Sequence, residues 1–380
     1  MTVTNKLYSL FALILLPLIS CGGEESHRID NNESILKYAK YLKLKKHEGG
    51  WYEAIITKPG DTLKTVQHIA ILPDSVNVIP EDLPKEATLI RTPLKNALVQ
   101  STVHVGLLEE FGASEAIGGV SDVEFIKSPH MQQKLKEGSV INCGGWLNPD
   151  IEKIMKLMPD AIFLSPYQNG GTYGHVTELG YPVVYVADYM EKEPLARSEW
   201  MRYYGLLFNE KETADSLFAS VEKNYNEILE KTKAQALNKE RKKILMDLPS
   251  GGTWAVPSSG STNHTLIENA GGENLFSTFE GDQFALLSPE KVLMEAKDAD
   301  VWIIRYNTNN AITLSFIGKE CKEAKMIKAF NEGNVWACNT NDTFYFEETP
   351  FHPDYILQDF YNIIHNPEDD SRLRYFYKIE

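Results

Sequence analysis

Basic residues are in deficit. Lys and Arg number 38 against 53 Asp and Glu, a formal net charge of −15 over 380 residues. With no basic cluster to offset it, this balance argues against a nucleic-acid partner. Cysteine is rare, with four residues at 21, 143, 321 and 338, too few for a disulfide scaffold. Nine histidines are scattered without paired metal-ligand spacing, which argues against a zinc or manganese site. No apolar run beyond residue 21 is long enough for a membrane helix. There is no G-x-S-x-G elbow, H-E-x-x-H pair, Walker loop or strand-linked G-x-G-x-x-G. Ser259-Gly260-Ser261 with His264 comes nearest to a hydrolase constellation. Its spacing fits turn chemistry better than a triad.

Hydrophobic residues make up 43% of the chain, ample for a core and suggestive of two lobes. Residues 1–21 have the form of a targeting segment. Lys6 is followed by the short apolar run LYSLFALILLPLI, then Leu18-Ile19-Ser20-Cys21 and Gly22-Gly23. The order resembles the lipobox of bacterial lipoproteins, in which the cysteine is lipid-modified and heads the mature chain. An exported protein facing the periplasm, anchored by lipid at Cys21 to a bacterial membrane, is expected. Export permits a disulfide among Cys143, Cys321 and Cys338, with 321–338 the favoured pair.

Residues 22–87 read as a polar tether and a small β extension. Strand-like stretches at 41–47 and 51–57 flank Gly49-Gly50, a two-residue hairpin signal, and 68–72 suggests a third strand. From residue 88 strands and helices alternate, beginning with LIRTP and NALVQS. This implies α/β layers with a largely parallel sheet over 88–193. Helices are expected at 102–111, from Asn148-Pro149, and from the loop YQNGGTYG to about residue 179. A linker at 194–238 holds one long helix, 209–236, with Asn209 as its N-cap and Glu212 completing a capping box. Ala214, Leu217, Phe218, Val221, Tyr225, Ile228 and Leu229 mark its apolar face. Alternation resumes over 239–380.

The two halves rhyme. LLEEFGASEAI (107–117) compares with LIENAGGENLF (266–276). EKIM with Asp160-Ala161 compares with EKVL with Asp298-Ala299. Ordered matches on either side of the long helix mean two similar α/β lobes joined by that helix. A ligand would sit between them, beyond the C-terminal ends of the strands.

These stretches, with NPDIEKIMKLMPDAIF, LGYPVVYV, EPLARSEWMRYYGLLFNEKETAD and NEGNVWACN, resemble substrate-binding lipoproteins of ABC importers for iron–siderophore, heme and vitamin B12 uptake. The resemblance covers roughly residues 88–365. It implies capture of a ferric siderophore, heme or corrinoid, delivery to an ABC permease and its ATPase, and no catalysis or resident cofactor. It also implies one permease-docking glutamate per lobe, at Glu152 and Glu290. A carboxylate in a helix's first turn is favoured by the dipole and stays exposed, and paired carboxylates can orient a partner. Candidate ligand contacts are Trp146, Tyr167, Asn169, Tyr173, His175, Trp254, Phe284 and Arg305. Aromatic rings offer flat surface, Arg305 can pair with an anion, and Tyr167, Tyr173 or His175 could ligate heme iron. A cobalamin-specific binder, a secreted hydrolase and a surface interaction lipoprotein are the competing readings.

Overall fold

A computed structural model describes residues 34–77, 79, 83–166, 173–236 and 240–380. Two five-stranded sheets dominate it. The first runs, edge to edge, Val183–Tyr185, Ala161–Leu164, Ala97–Val99, Ile117–Val120, Ile141–Asn142, all parallel. The second runs Gly272–Asn274, Lys242–Met246, Val301–Tyr306, Val335–Asn339, Tyr377–Lys378. Only its last pair is antiparallel. This is the expected α/β class with two lobes.

The apolar strand runs are explained by burial on both faces. In the second sheet Ile244, Met246, Val301, Ile303, Trp336 and Cys338 enter the main core. Their neighbours Leu245, Trp302, Ile304, Val335 and Ala337 fill a separate core on the opposite face. The first sheet divides likewise, with Ala161 and Phe163 on one side and Ile162 and Leu164 on the other.

The sequence repeat has a structural counterpart, with one correction. Glu152 and Glu290 both lie in the first turn of equivalent helices, Ile151–Leu157 and Pro289–Glu295. Asp150 and Ser288 cap them by accepting from Lys153 N–H and Lys291 N–H. Asp160 accepts from the backbone N–H of Asn96 at 3.0 Å. Its counterpart is Asp300, accepting from Lys243 N–H at 2.9 Å, not the sequence-matched Asp298. Asp160 and Asp300 each immediately precede a central strand. Asn148–Pro149, expected to start the first of these helices, instead pairs with Gly144–Gly145 as a short antiparallel strand.

The long helix spans Lys211–Ala236, 26 residues, about 39 Å at 1.5 Å per residue. Ala214, Phe218, Val221, Tyr225 and Ile228 are buried along it. Asn209 is not its N-cap. Its φ of 60° is left-handed, and it terminates the preceding helix Met201–Leu207. Glu210 N–H closes back onto Gly205 O at 2.7 Å, the six-to-one bond of a Schellman cap, in which asparagine substitutes for the usual glycine. The helix also packs against Pro353–His365, where Asn224 donates to Asp354 at 3.0 Å and Gln235 to Tyr361 at 2.7 Å.

The N-terminal strands Leu42–Lys46, Tyr52–Lys58 and Asp61–Pro73 form an antiparallel meander. Thr88–Thr92, expected in the first lobe, instead adds parallel to Asp61–Pro73. The hairpin loop is longer than two residues. His47 N–H reaches Trp51 O at 3.0 Å and Gly50 takes a φ of 80°, the form of a three-residue loop. Asp61–Pro73 begins seven residues before the expected strand because its first half is polar and projects from the core.

Buried carboxylates fix this sheet to the body. Glu199 accepts from the backbone N–H of Lys37, Tyr38 and Ala39 at 2.8, 2.7 and 2.9 Å. Glu191 accepts from Lys40 and Tyr41, both at 2.9 Å. The Gln67 amide acts as a strand rung. It donates to Val183 O and accepts from Tyr185 N–H, covering the open edge of the first lobe's sheet.

Cys143, Cys321 and Cys338 are buried free thiols, so the expected disulfide is absent. Burial pushes the Cys143 and Cys338 thiols up to about 11, keeping both protonated at neutral pH. Cys21 lies outside the described residues.

Candidate functional site

The cleft lies where the strands of both lobes end. Gln100 and Ser101 follow Ala97–Val99, Asp122 follows Ile117–Val120, Ser165 follows Ala161–Leu164, and Val186 and Asp188 follow Val183–Tyr185. From the second lobe, Asn307 follows Val301–Tyr306, and Thr340 and Asn341 follow Val335–Asn339. All of them line one cavity of about 620 Å³. That is the size of a small-molecule site at the carboxyl ends of parallel strands. A second cavity of about 260 Å³ adjoins it on the second-lobe side, and Val103, Arg197 and Phe346 line both.

Aromatic rings form much of the larger cavity's wall: Phe125, Trp146, Phe163, Tyr189 and Phe346. Phe125 is 58% exposed and Phe346 50%, surface that a ligand would cover. Asp122 adopts a left-handed φ of 47°, uncommon for a non-glycine residue and often associated with function. Its carboxylate accepts from Trp146 N–H at 3.2 Å, which aligns the tryptophan loop. Burial raises the Asp122 carboxyl above its usual range, and Glu124 adds to the rise against the Trp146 hydrogen bond.

The cavity floor is a buried charge group. Asp188 accepts from His104 Nε2 at 3.0 Å and from Arg197 Nε at 3.2 Å. Burial alone would raise the Asp188 carboxyl, but His104 and Arg197 outweigh it and hold it low. Across the cleft, Lys127 of the first lobe donates to the carbonyls of Thr340 and Thr343, the latter at 2.7 Å. Lys192 pairs with Asp282 at 3.0 Å, and Gln283 donates to Tyr189 O at 3.0 Å. These contacts tie the lobes together on the cleft's rim.

The expected contact residues separate. Trp146 lines the larger cavity and Arg305 the smaller. Arg305 is already committed, because its guanidinium bonds to both carboxylate oxygens of Asp247. The cleft arginine with unspent nitrogens is therefore Arg197, bonded to Asp188 through Nε alone among the described residues. The Tyr173 hydroxyl is engaged by the backbone: it donates to Ser165 O at 2.5 Å and accepts from Ser165 N–H at 3.0 Å, and Tyr173 lines neither cavity. His175 is on the surface, paired with Glu178 at 2.7 Å, and lines neither cavity. Trp254 is fully buried and donates to Met246 O at 3.0 Å, so it is core. Phe284 is 56% exposed on an antiparallel ribbon and also lines neither cavity. Tyr167 and Asn169 lie outside the described residues. The residues missed, Phe125, Lys127, Asp188, Arg197 and Phe346 among them, belong mainly to loops after strands. The strand-end rule was the signal that could have found several of them.

Ser261 is explained by structure. Its hydroxyl donates to Ser258 O and accepts from His264 N–H, capping the helix Thr262–Asn269. His264 Nδ1 accepts from Asn274. No hydrolytic arrangement forms there.

Residues 101–340 match the family model described as periplasmic binding protein. The chain belongs to that family, whose members are solute-binding proteins of the ABC-transporter type. An uncharacterized lipoprotein of Methanocaldococcus jannaschii is 26% identical over 91% of this chain and 86% of its own length. The fold is similar to that of the TroA-like periplasmic binding protein FepB from Veillonella parvula. The TM-score is 0.58 at 14% identity, covering 76% of this chain and 96% of that one. It is similar also to an ABC-type Fe3+-hydroxamate transport system protein from Saccharomonospora viridis. There the TM-score is 0.54 at 15% identity, covering 72% of this chain and 94% of that one. No helix among the described residues is long and apolar enough to cross a membrane.

Proposed function

We propose that this protein captures an iron chelate in the inter-lobe cleft and delivers it to an ABC permease. The observation that carries the reading is the aromatic-walled cavity of about 620 Å³ built from strand-end loops of both lobes. Flat apolar rings with convergent hydrogen-bonding groups suit a compact metal chelate. The similarity to a Fe3+-hydroxamate transport protein supports the same class. Heme is disfavoured by the commitments of Tyr173 and His175. Residues 1–21 are proposed as a leader ending at a lipid-modified Cys21. The order of parts is then tether and β extension, first lobe, linker at 194–238, and second lobe.

Docking is assigned to Glu152 and Glu290. Both are exposed in first helical turns. Each has an exposed methionine one turn on, Met155 at 54% and Met294 at 71%, on the same helix face. A carboxylate beside an apolar contact is a workable partner-binding unit.

Calorimetric titration of the protein lacking residues 1–21 with a ferric trihydroxamate, heme and cobalamin tests the ligand. Heat with the hydroxamate chelate alone is expected; heat with heme or cobalamin alone would replace this ligand class. Glu152→Ala with Glu290→Ala should abolish uptake while chelate affinity stays unchanged. Normal uptake by the double variant would remove the docking role.

A further inference from the structure

The charges lining the larger cavity do not balance. Its carboxylates, Asp122, Glu124, Asp188 and Glu347, outnumber its Lys and Arg cations, Lys127 and Arg197. Arg197 and His104 pair with Asp188. Lys127 donates to two neutral backbone carbonyls, keeps its charge and stands against the three remaining carboxylates. Glu347 is the sharpest case. Its side chain is only 10% exposed, with its nearest cation, Lys127, 3.9 Å away. Its Oε2 is buried and accepts no hydrogen bond among the described residues. A buried carboxylate oxygen left this way is costly unless something fills the space beside it. Arg305 in the adjoining cavity is neutralised by Asp247. Aromatic faces next to an excess of carboxylates form a site for positive charge.

We infer that the ligand of this cleft is cationic: a metal chelate with net positive charge, or one bearing a protonated amine, held by Glu347 and Asp122 against the Trp146 and Phe125 rings. This rests on the chelate-binding reading above and assigns its charge. A neutral chelate would bind more weakly, and an anionic one would meet repulsion from the excess of carboxylates.

One chelate core in three charge states tests this. A linear ferric trihydroxamate with a free terminal amine is compared with its N-acetylated and N-succinylated forms. The amine form should bind about tenfold more tightly than the acetylated form, ~1.4 kcal/mol, and the succinylated form most weakly. Glu347→Gln and Asp122→Asn, the latter keeping a residue that tolerates left-handed φ, should collapse that ratio towards one. Equal or tighter binding of the succinylated form, or a ratio unmoved by both variants, overturns the inference. The second arm needs no chelate. Cesium should quench Trp146 fluorescence severalfold more efficiently than iodide, read as the difference from Trp146→Phe, and Glu347→Gln with Asp122→Asn should shrink the gap. Iodide quenching as well as cesium would refute the negative cavity. If no chelate binds while cesium wins, the iron-chelate reading fails and the charge assignment stands.

Discussion

Glu199 offers the clearest test of how the N-terminal sheet is held. Its side chain is fully buried and accepts from three consecutive backbone N–H groups, at 2.8, 2.7 and 2.9 Å. Hydrogen bonds to a charged group contribute roughly 1.5–3 kcal/mol each. They are not additive here, because Lys37 lies at the surface and water can reach part of the segment. Glu199→Ala should therefore cost about 3 kcal/mol locally, the upper value for one such bond and below the simple sum for three. That corresponds to roughly hundredfold faster opening. Hydrogen exchange reads it by region. Amides of Leu42–Lys46 and Tyr52–Lys58 should lose protection by about two decades, while Val301–Tyr306 and Val335–Asn339 keep theirs. Glu199→Gln retains one acceptor oxygen and should lie between. Unchanged exchange in the N-terminal strands, or equal loosening of both regions, would refute the reasoning.

Two further outcomes follow from packing and burial. A Cβ at Gly205 would sit 2.5 Å from Ala214 Cβ and 3.0 Å from Glu210 O. Gly205→Ala should therefore destabilise by about 1–3 kcal/mol despite better helix propensity; a higher urea midpoint would contradict the close helix approach. Asp359 is buried, and although Arg374 and Tyr375 N–H donate to it, burial raises its carboxyl to about 6. The folded chain then holds this proton more tightly than the unfolded chain. Its contribution is complete below about pH 4 and is lost as pH rises through about 6, at most ~3 kcal/mol. Asp359→Asn should flatten that part of the stability-against-pH curve, and an identical slope in the variant would refute the assignment.

Periodicity carried the fold because burial imposes it. Strands buried on both faces are apolar throughout, as in VWIIR and AIFL, and remain legible without partners. The long helix was legible from its apolar face, yet its start was misread. Asparagine suits both an N-cap and a left-handed helix end, and only the Glu210–Gly205 bond decides between them. The site was less accessible to sequence because aromatic identity does not encode direction. Trp146 and Trp254 both follow strand-and-turn signals, but one lines the cleft and the other fills the second core. Arg305 and Arg197 likewise differ only in their partners. Asp247 occupies the first guanidinium completely, whereas Asp188 takes one nitrogen of the second. Such pairings come from residues distant in sequence, and no local pattern announces them.

The central claim is that solute binds in this cleft. Of six tryptophans, Trp200, Trp254, Trp302 and Trp336 are fully buried, Trp51 nearly so, and Trp146 lines the cavity. Titration with a cationic ferric trihydroxamate should give saturable fluorescence quenching at one chelate per chain, and Trp146→Phe should remove most of that quench. Absence of saturable quenching, or a full quench at unchanged affinity in Trp146→Phe, would place the solute elsewhere and contradict the claim.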